Sequence, residues 1–429
     1  MGKQKVLIIT YYWPPSGGPG VQRVLKFVKY LRAFDWEPIV LTVKDGEYPA
    51  IDHSLTKDIP DNLSITQTST LEFFALFKRL SGRKKEDKIE TYILNRQSVS
   101  MKDKLFRWIR QNVFVPDARL GWVPFAVKAG KKIIKEQKPV LIFSSSPPHS
   151  LHLAARQLAQ WSGLPWVADF RDPWTDAFWD KDIKRTKWAG RKNKALEYKV
   201  IRDASAVITV SKAIQEQFQE KFAHAKSVVI PNGFDSEDFH FVKKTNTQLS
   251  LVYAGHIAES QNPTHLFKAL GGLPEDLQDK VQVHFYGSMD QSVLDSIAQY
   301  KIGRMIQLHG YVAHSEALKA VSQADVLLLL IPRQHAKGII TGKVYEYLAA
   351  KNFILGMGDP KGDAGVLLRS CNAGQMFSYE SDLIPILREL ITNWESGIPL
   401  IKIREEQVAK YSRYALTQEL AQVFSELCN

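Results

Sequence analysis

Cysteine is nearly absent from this chain: Cys371 and Cys428 are the two in 429 residues. Two distant thiols build neither a disulfide framework nor a zinc site, so a reduced, cytoplasmic compartment is expected. Long apolar runs are missing as well. The opening MGKQKVLIITYYWPP holds a stretch too short to cross a bilayer and ends in Pro-Pro, without the apolar core and cleavage site of a signal peptide. Gly2 is followed by Val6 where myristoylation needs Ser or Thr, so the chain is expected to stay inside the cell. Three signatures are absent too. There is no G-x-G-x-x-G dinucleotide fingerprint after the first strand, and no G-K-[ST] ending of a phosphate-binding P-loop. Around Asp359 and Asp363 the spacing is neither an EF-hand nor a strand-flanked D-x-D, so no metal is expected.

Positive charge is what the chain has in excess, with a formal net charge of +12. Much of it is local, in KRLSGRKK and KDKLFRWIR, with Phe73, Phe74, Phe77, Phe106, Trp108 and Ile109 interleaved. Basic residues beside aromatics suit the headgroup zone of an anionic bilayer, and peripheral membrane contact through 73–110 is the expectation. A solvated basic face over core aromatics reads the same way. Nucleic acid is not expected as a partner, because the basic residues sit in no recognised motif.

Strand-like runs alternate with helical patterns almost from end to end. KVLIITYY (5–12), PIVLTV (38–43), VLIFSSS (140–146), WVADF (166–170) and AVITV (206–210) lead to VVIPNG (228–233). After the polar stretch 236–248 the pattern restarts with LSLVYAG (249–255), VQVHFYG (281–287), MIQLHGY (305–311), ADVLLLLI (324–331) and NFILGM (352–357). Apolar runs joined by helices predict parallel, doubly wound sheets. The expected fold class is α/β, two Rossmann-like domains across a cleft. Residues 1–240 form the first domain, 241–408 the second, and 409–429 a helix returning to the first.

Four constellations fall at predicted strand ends, where such folds bind ligands. Gly17, Gly18 and Gly20 in WPPSGGPG let a backbone approach a ligand before a helix N-terminus, or make a plain tight turn. His149 in SSSPPHSLHLAA enters the cleft and could bond a sugar hydroxyl or move a proton near neutral pH, with His152 structural or exposed. Asp169, Arg171 and Asp172 in WVADFRDPW either pair among themselves or position a hydroxylated acceptor. In KGIITGKVYEYLAAKNFIL, Lys343 stands at a helix start to meet a phosphate, and Glu346 could hold ribose hydroxyls, with Arg333 and Lys337 just upstream. An amphipathic helix with a solvated Lys and Glu accounts for that segment equally well.

Taken in order, these motifs resemble the retaining nucleotide-sugar glycosyltransferases of the GT-B fold, closest to the large family 4-like group that builds bacterial polysaccharides and lipopolysaccharides. YYWPPSGGPGVQR, SSSPPHSLHLAA, DFRDPW, VITVS, VIPNGFD, LVYAG, HGYVAHSEALKAVSQADVLLLL and KVYEYLAA carry the resemblance over nearly the whole chain. It implies a nucleotide-diphosphate sugar as donor substrate, no cofactor, and a saccharide or lipid-linked saccharide as acceptor. Gly17 and Gly18 would lie against the donor diphosphate, His149 at the transferred sugar and Asp169 towards the acceptor with Arg171 and Asp172. Gly255 ends the LVYAG strand in the donor half, Tyr311 and Val312 would meet the nucleobase, and Glu346 the ribose. His149, Asp169, Lys343 and Glu346 are the expected catalytic set. Two departures stand out. The first glutamate of the family's pair falls at Gly338, and GHIAESQN offers His256 and Gln261 where the family commonly has Arg and Lys. Phosphate charge would then come from Lys343, Lys337 or Arg333. A nucleotide-sugar 2-epimerase or a non-catalytic nucleotide-sugar binder of the same fold are the alternatives.

Overall fold

The computed structural model describes residues 2–46, 48, 50–71, 101–176, 185–222, 226–239, 245–333 and 340–428. The chain divides into two compact units, Met1–Pro231 with Leu416–Asn429, and Asn232–Ala415.

The first unit is built on a seven-stranded sheet in the order β3-β2-β1-β4-β5-β6-β7. Its strands are β1 (Gln4–Ile9), β2 (Trp36–Val43), β3 (Ser64–Thr68), β4 (Leu141–Ser146), β5 (Trp166–Phe170), β6 (Ala206–Thr209) and β7 (Ser227–Val229). Every pairing is parallel, with Leu7 opposite Ile39 on one side of β1 and Ile142 on the other. Central strands lack polar alternation because both faces are covered: Leu7 and Ile9 pack into one apolar cluster, Val6 and Ile8 into another. The helix Pro19–Leu31 follows β1 and buries Val21, Val24, Leu25, Val28 and Leu31. Leu416, Leu420 and Phe424 from the end of the chain join the same side, with the Phe424 ring edge-on to Trp36 at 5.2 Å.

The second unit repeats the plan with six parallel strands in the order β10-β9-β8-β11-β12-β13. These are β8 (Leu249–Ala254), β9 (Val281–Tyr286), β10 (Ile306–Gly310), β11 (Val326–Leu330), β12 (Phe353–Met357) and β13 (Gly374–Phe377). β11 and β12 are buried at every position, whereas the edge strand β10 is exposed beyond Ile306. In each sheet the strand order reverses beside the unit's first strand, between β1 and β4 and between β8 and β11. Such reversal points open a crevice at the strands' carboxyl ends.

Two details differ from the sequence reading. The units part after Pro231 rather than at 240, because the Phe234 N–H donates to the Tyr411 carbonyl and the Arg413 N–H to that of Phe234, at 3.0 and 2.7 Å. The helical pattern at 404–427 is two helices, Glu405–Ala409 and Arg413–Cys428; Ser412 between them accepts the Ala415 N–H on its hydroxyl at 3.2 Å.

Candidate functional site

In the first unit the groups of interest gather at the ends of β1, β4 and β5. The loop after β1 is stitched down by the Gly17 N–H donating to the Ala50 carbonyl at 2.9 Å and the Asp52 N–H to that of Pro15 at 2.8 Å. Gly17 is buried and its amide engaged, so of the two glycines expected at the diphosphate it has no free N–H to offer. Gly18, at φ 104°, has open space where a side chain would project and stands as N-cap of Pro19–Leu31. Gly20 is needed for another reason. A Cβ there would overlap the Arg171 guanidinium, which donates to the Ser146 and Pro147 carbonyls at 2.9 and 3.1 Å.

β4 ends in a run of buried serines, each assigned a task. Ser144 accepts from Trp166 Nε1 at 2.7 Å and bonds His152 Nδ1 at 2.8 Å, so His152 is a core residue. The Ser145 hydroxyl donates to Asp169 at 2.6 Å. Ser146 Oγ shares a 3.1 Å hydrogen bond with His149 Nδ1. The His149 ring stacks on Trp174 at 4.8 Å and 5°, and Trp174 Nε1 donates to Asn193 at 2.9 Å. Burial, helped by the Arg171 charge, pushes the His149 pKa down to about 3. The imidazole is therefore neutral at ordinary pH. It can hydrogen-bond through Nε2 as a neutral group, and burial disfavours the charged form that moving a proton near neutral pH would need.

Asp169 requires the largest correction. Its carboxylate is fully buried; both oxygens grip Arg23, at 2.7 Å from Nη2 and 3.0 Å from Nε. Arg23 also donates to the Ile230 and Pro231 carbonyls at 2.9 and 2.6 Å. The pair joins the first helix to the ends of β5 and β7, so Asp169 positions the frame instead of meeting an acceptor, and Arg171 is not its partner. Asp172 stays partly exposed, with its pKa raised by burial and drawn back by Arg171. Arg23 is a functional-frame residue that sequence reasoning missed. The available signal was a cation at helical spacing ahead of the fully buried Phe27, whose ring it covers at 4.8 Å.

In the second unit, glycines line the carboxyl ends of three adjacent strands. The Gly255 N–H donates to the Tyr286 carbonyl and the Gly287 N–H to that of Gly310, both at 2.6 Å. Gly255 and Gly287 hold φ 129° and 130°, and a Cβ on Gly255 would collide with Lys343 Nζ. Lys343 lies in the first turn of the helix Gly342–Ala350 and donates to the Tyr253 hydroxyl at 2.7 Å, which donates on to the His256 carbonyl at 2.9 Å. Burial lowers the Lys343 pKa to about 8, with Glu346 opposing the shift. One turn on, Glu346 keeps 27% of its side chain exposed, 3.7 Å from His314 Nε2. Burial raises its pKa, while His314 and Lys343 draw it down.

Arg333 follows β11, donates to the Asn262 carbonyl at 3.2 Å and lies over Tyr379 at 4.4 Å. Lys343 and Arg333 thus both anchor to the β8 end, one to Tyr253 and the other to the 260–262 loop. Tyr311 is 94% exposed and Val312 half-buried. Gln261 is a loop staple, donating to the Leu330 carbonyl at 2.8 Å and accepting from the Ala258 N–H at 3.3 Å. Lys337 and Gly338 lie outside the described residues, as do 72–100 of the basic stretch; Leu105 and Trp108 in its last part are exposed. Among the described residues no helix is long and apolar enough to cross a membrane.

No curated protein matches the chain in sequence. In structure it is similar to Alr3699/HepE of Anabaena, solved with UDP and glucose, at TM-score 0.61 and 14% identity, covering 99% of this chain and 100% of that one. Sucrose-phosphate synthase from Thermosynechococcus elongatus aligns at TM-score 0.65 and 14% identity over 99% of both chains. The lipopolysaccharide outer core galactosyltransferase WaaB aligns at 0.59 and 12% identity, over 98% of this chain and 99% of that one. With the two parallel sheets, these likenesses give a two-domain, Rossmann-like GT-B fold. The family model described as glycosyl transferases group 1 matches residues 235–339. The model for Glycosyltransferase Family 4 matches residues 17–238, more than half of the chain, and the protein belongs to that family.

Proposed function

We propose that this glycosyltransferase moves a sugar, with retention at the anomeric carbon, from a nucleotide-diphosphate sugar to a saccharide or lipid-linked saccharide in surface polysaccharide assembly. The observation that carries the donor half is Lys343, held over Gly255 at a helix N-terminus with Glu346 one turn away. A helix start, a cation and an acceptor-only carboxylate match the diphosphate and ribose of one ligand. That a structural neighbour was solved with UDP and glucose supports the same class of donor.

Lys343, Arg333 and the amides at the helix start take the diphosphate charge as it develops, which makes a divalent metal unnecessary. Lys337 is assigned to the same task, Gly255 keeps the backbone out of the way, and Glu346 binds the ribose. Tyr311 and Val312 receive the nucleobase. Gly18, in place of the Gly17–Gly18 pair, approaches the diphosphate, and His149 Nε2 bonds the transferred sugar as a neutral group. Arg171 and Asp172 orient the acceptor. Its hydroxyl oxygen forms the new bond to the anomeric carbon as the carbon–diphosphate bond breaks on the same face, and the hydroxyl proton leaves with the diphosphate oxygen.

The test is release of nucleoside diphosphate from a panel of nucleotide sugars, with saccharide acceptors, for wild type and Lys343→Ala. Acceptor-dependent release that falls at least about a hundredfold in the variant is expected, with the product anomer read by NMR. The Lys343 pKa near 8 adds a signature: kcat/KM declines as pH rises through about 8. Epimer formation without any acceptor would overturn the reading in favour of an epimerase.

A further inference from the structure

The helix Lys187–Asp203 turns its acids inward. Glu197 is buried, accepts from the Thr175 N–H at 3.1 Å and lies 3.3 Å from Lys221 Nζ, while Asp203 holds Arg156 at 2.6 Å. Its exposed arc carries Lys187, Arg191, Lys194 and Lys199, none with an acidic partner among the described residues. Between them stand Trp188, 61% exposed, and Tyr198, 50% exposed. A helix that met only water would mix both signs of charge along this face and keep its indole covered.

A second helix meets this one at its start. The Thr186 N–H, at the start of this helix, donates to Asn112 Oδ1 at 2.6 Å, at the end of the helix Met101–Asn112. There Leu105 is 60% exposed, Trp108 50% and Val113 50%. Indoles, a phenol and aliphatic side chains are thus exposed on two helices that meet at Thr186 and Asn112, one of which carries cations with no acidic partner among the described residues. Phosphates of a nucleic acid would use the lysines but leave Leu105 and Val113 in water. The boundary between anionic headgroups and acyl chains takes both kinds of group, and Trp and Tyr favour that depth.

We propose that the exposed face of Lys187–Asp203, with the exposed Leu105 and Trp108 of the helix that meets its start through Asn112, is a docking surface for an anionic lipid bilayer. It extends the acceptor half of the proposed function, since a lipid-linked saccharide is met at such a surface. Binding is read without donor or acceptor, so failure here leaves the transfer reading intact, and the reverse holds.

The experiment is co-sedimentation of the full chain with phosphatidylcholine vesicles, with and without about one-third phosphatidylglycerol. Anionic vesicles are expected to retain the protein and neutral ones to release it. R191Q/K194Q should lower partitioning about thirtyfold, at roughly a factor of five per lost cation, and W188A should lower it independently. K131Q/K135Q, which removes equal charge from the helix Val123–Gln137, should change it less than about twofold. Equal loss in both double variants overturns the assignment, because net charge alone would then be at work. Equal binding to neutral vesicles, or none to either, also overturns it. So does R191Q/K194Q weakening binding to a duplex oligonucleotide while leaving vesicle binding intact.

Discussion

Arg23 and Asp169 are both fully out of water, and neither has a solvent route to relieve its charge. Removing one partner leaves the other buried and unpaired, at a cost of about 3–5 kcal/mol, whereas removing both with matched apolar groups is close to neutral. Arg23→Met or Asp169→Leu alone should therefore lower the unfolding midpoint of the first unit sharply, and the double variant should recover most of the loss. Equal losses in all three would show that the pair's geometry, not its charge balance, is what matters. His149 makes a second prediction. Its folded pKa lies near 3 against 6.5 in the open chain, so the unfolded state binds more protons between those values. Stability is then fully present above pH 6.5 and declines as pH falls towards 3. His152, also held neutral by burial, acts in the same direction. Thermal midpoints from pH 7 to pH 4 should fall less steeply in His149→Gln than in wild type.

At the scale of elements, strand ends rather than strand interiors set the site. Gly255 is the tightest point: its φ of 129° and the Lys343 ammonium beside it leave no place for a methyl group. Gly255→Ala should displace Lys343 from Tyr253 and raise KM for the donor at least about tenfold with modest loss of stability. Unchanged donor kinetics would separate Lys343 from the diphosphate. Most strands were legible because runs such as WVADF and VLLLL are apolar without alternation, as burial on both faces demands. β3 and β13 were not seen. Each lies at a sheet edge with an exposed side, and SITQT and GQMF offer little continuous apolar sequence. Site legibility had a similar limit. Lys343 and Glu346 were visible because helical spacing alone relates them. The partner of Asp169 was not, since Arg23 lies far away in sequence and meets it only once β1, β5 and their helix are assembled.

For the whole molecule, the decisive fact is that the first unit is made of two pieces of chain, Met1–Pro231 and Leu416–Asn429. Leu416, Leu420 and Phe424 are almost wholly buried in it. Each fully buried side chain of this kind is worth about 1.5–3 kcal/mol. A chain stopped after Ala415 should therefore lose several kcal/mol from the first unit while the second keeps its own core. Calorimetry should show one transition moved down and one little changed; a single transition shifted as a whole would mean that the units melt together. Resistance to limited proteolysis should fall in the same half.

That two-piece construction also orders events in time. A nascent chain has emitted the whole of Asn232–Ala415 before Phe424 reaches the Trp36 and Phe143 rings it packs against, at 5.2 and 5.7 Å. At ordinary synthesis rates the wait is on the order of ten seconds or more. The second unit can therefore be complete while the half that begins the chain still exposes the apolar seat for Leu420 and Phe424. Synthesis interrupted in that interval leaves a ribosome product with one finished unit and one open, aggregation-prone apolar surface where its missing wedge would sit.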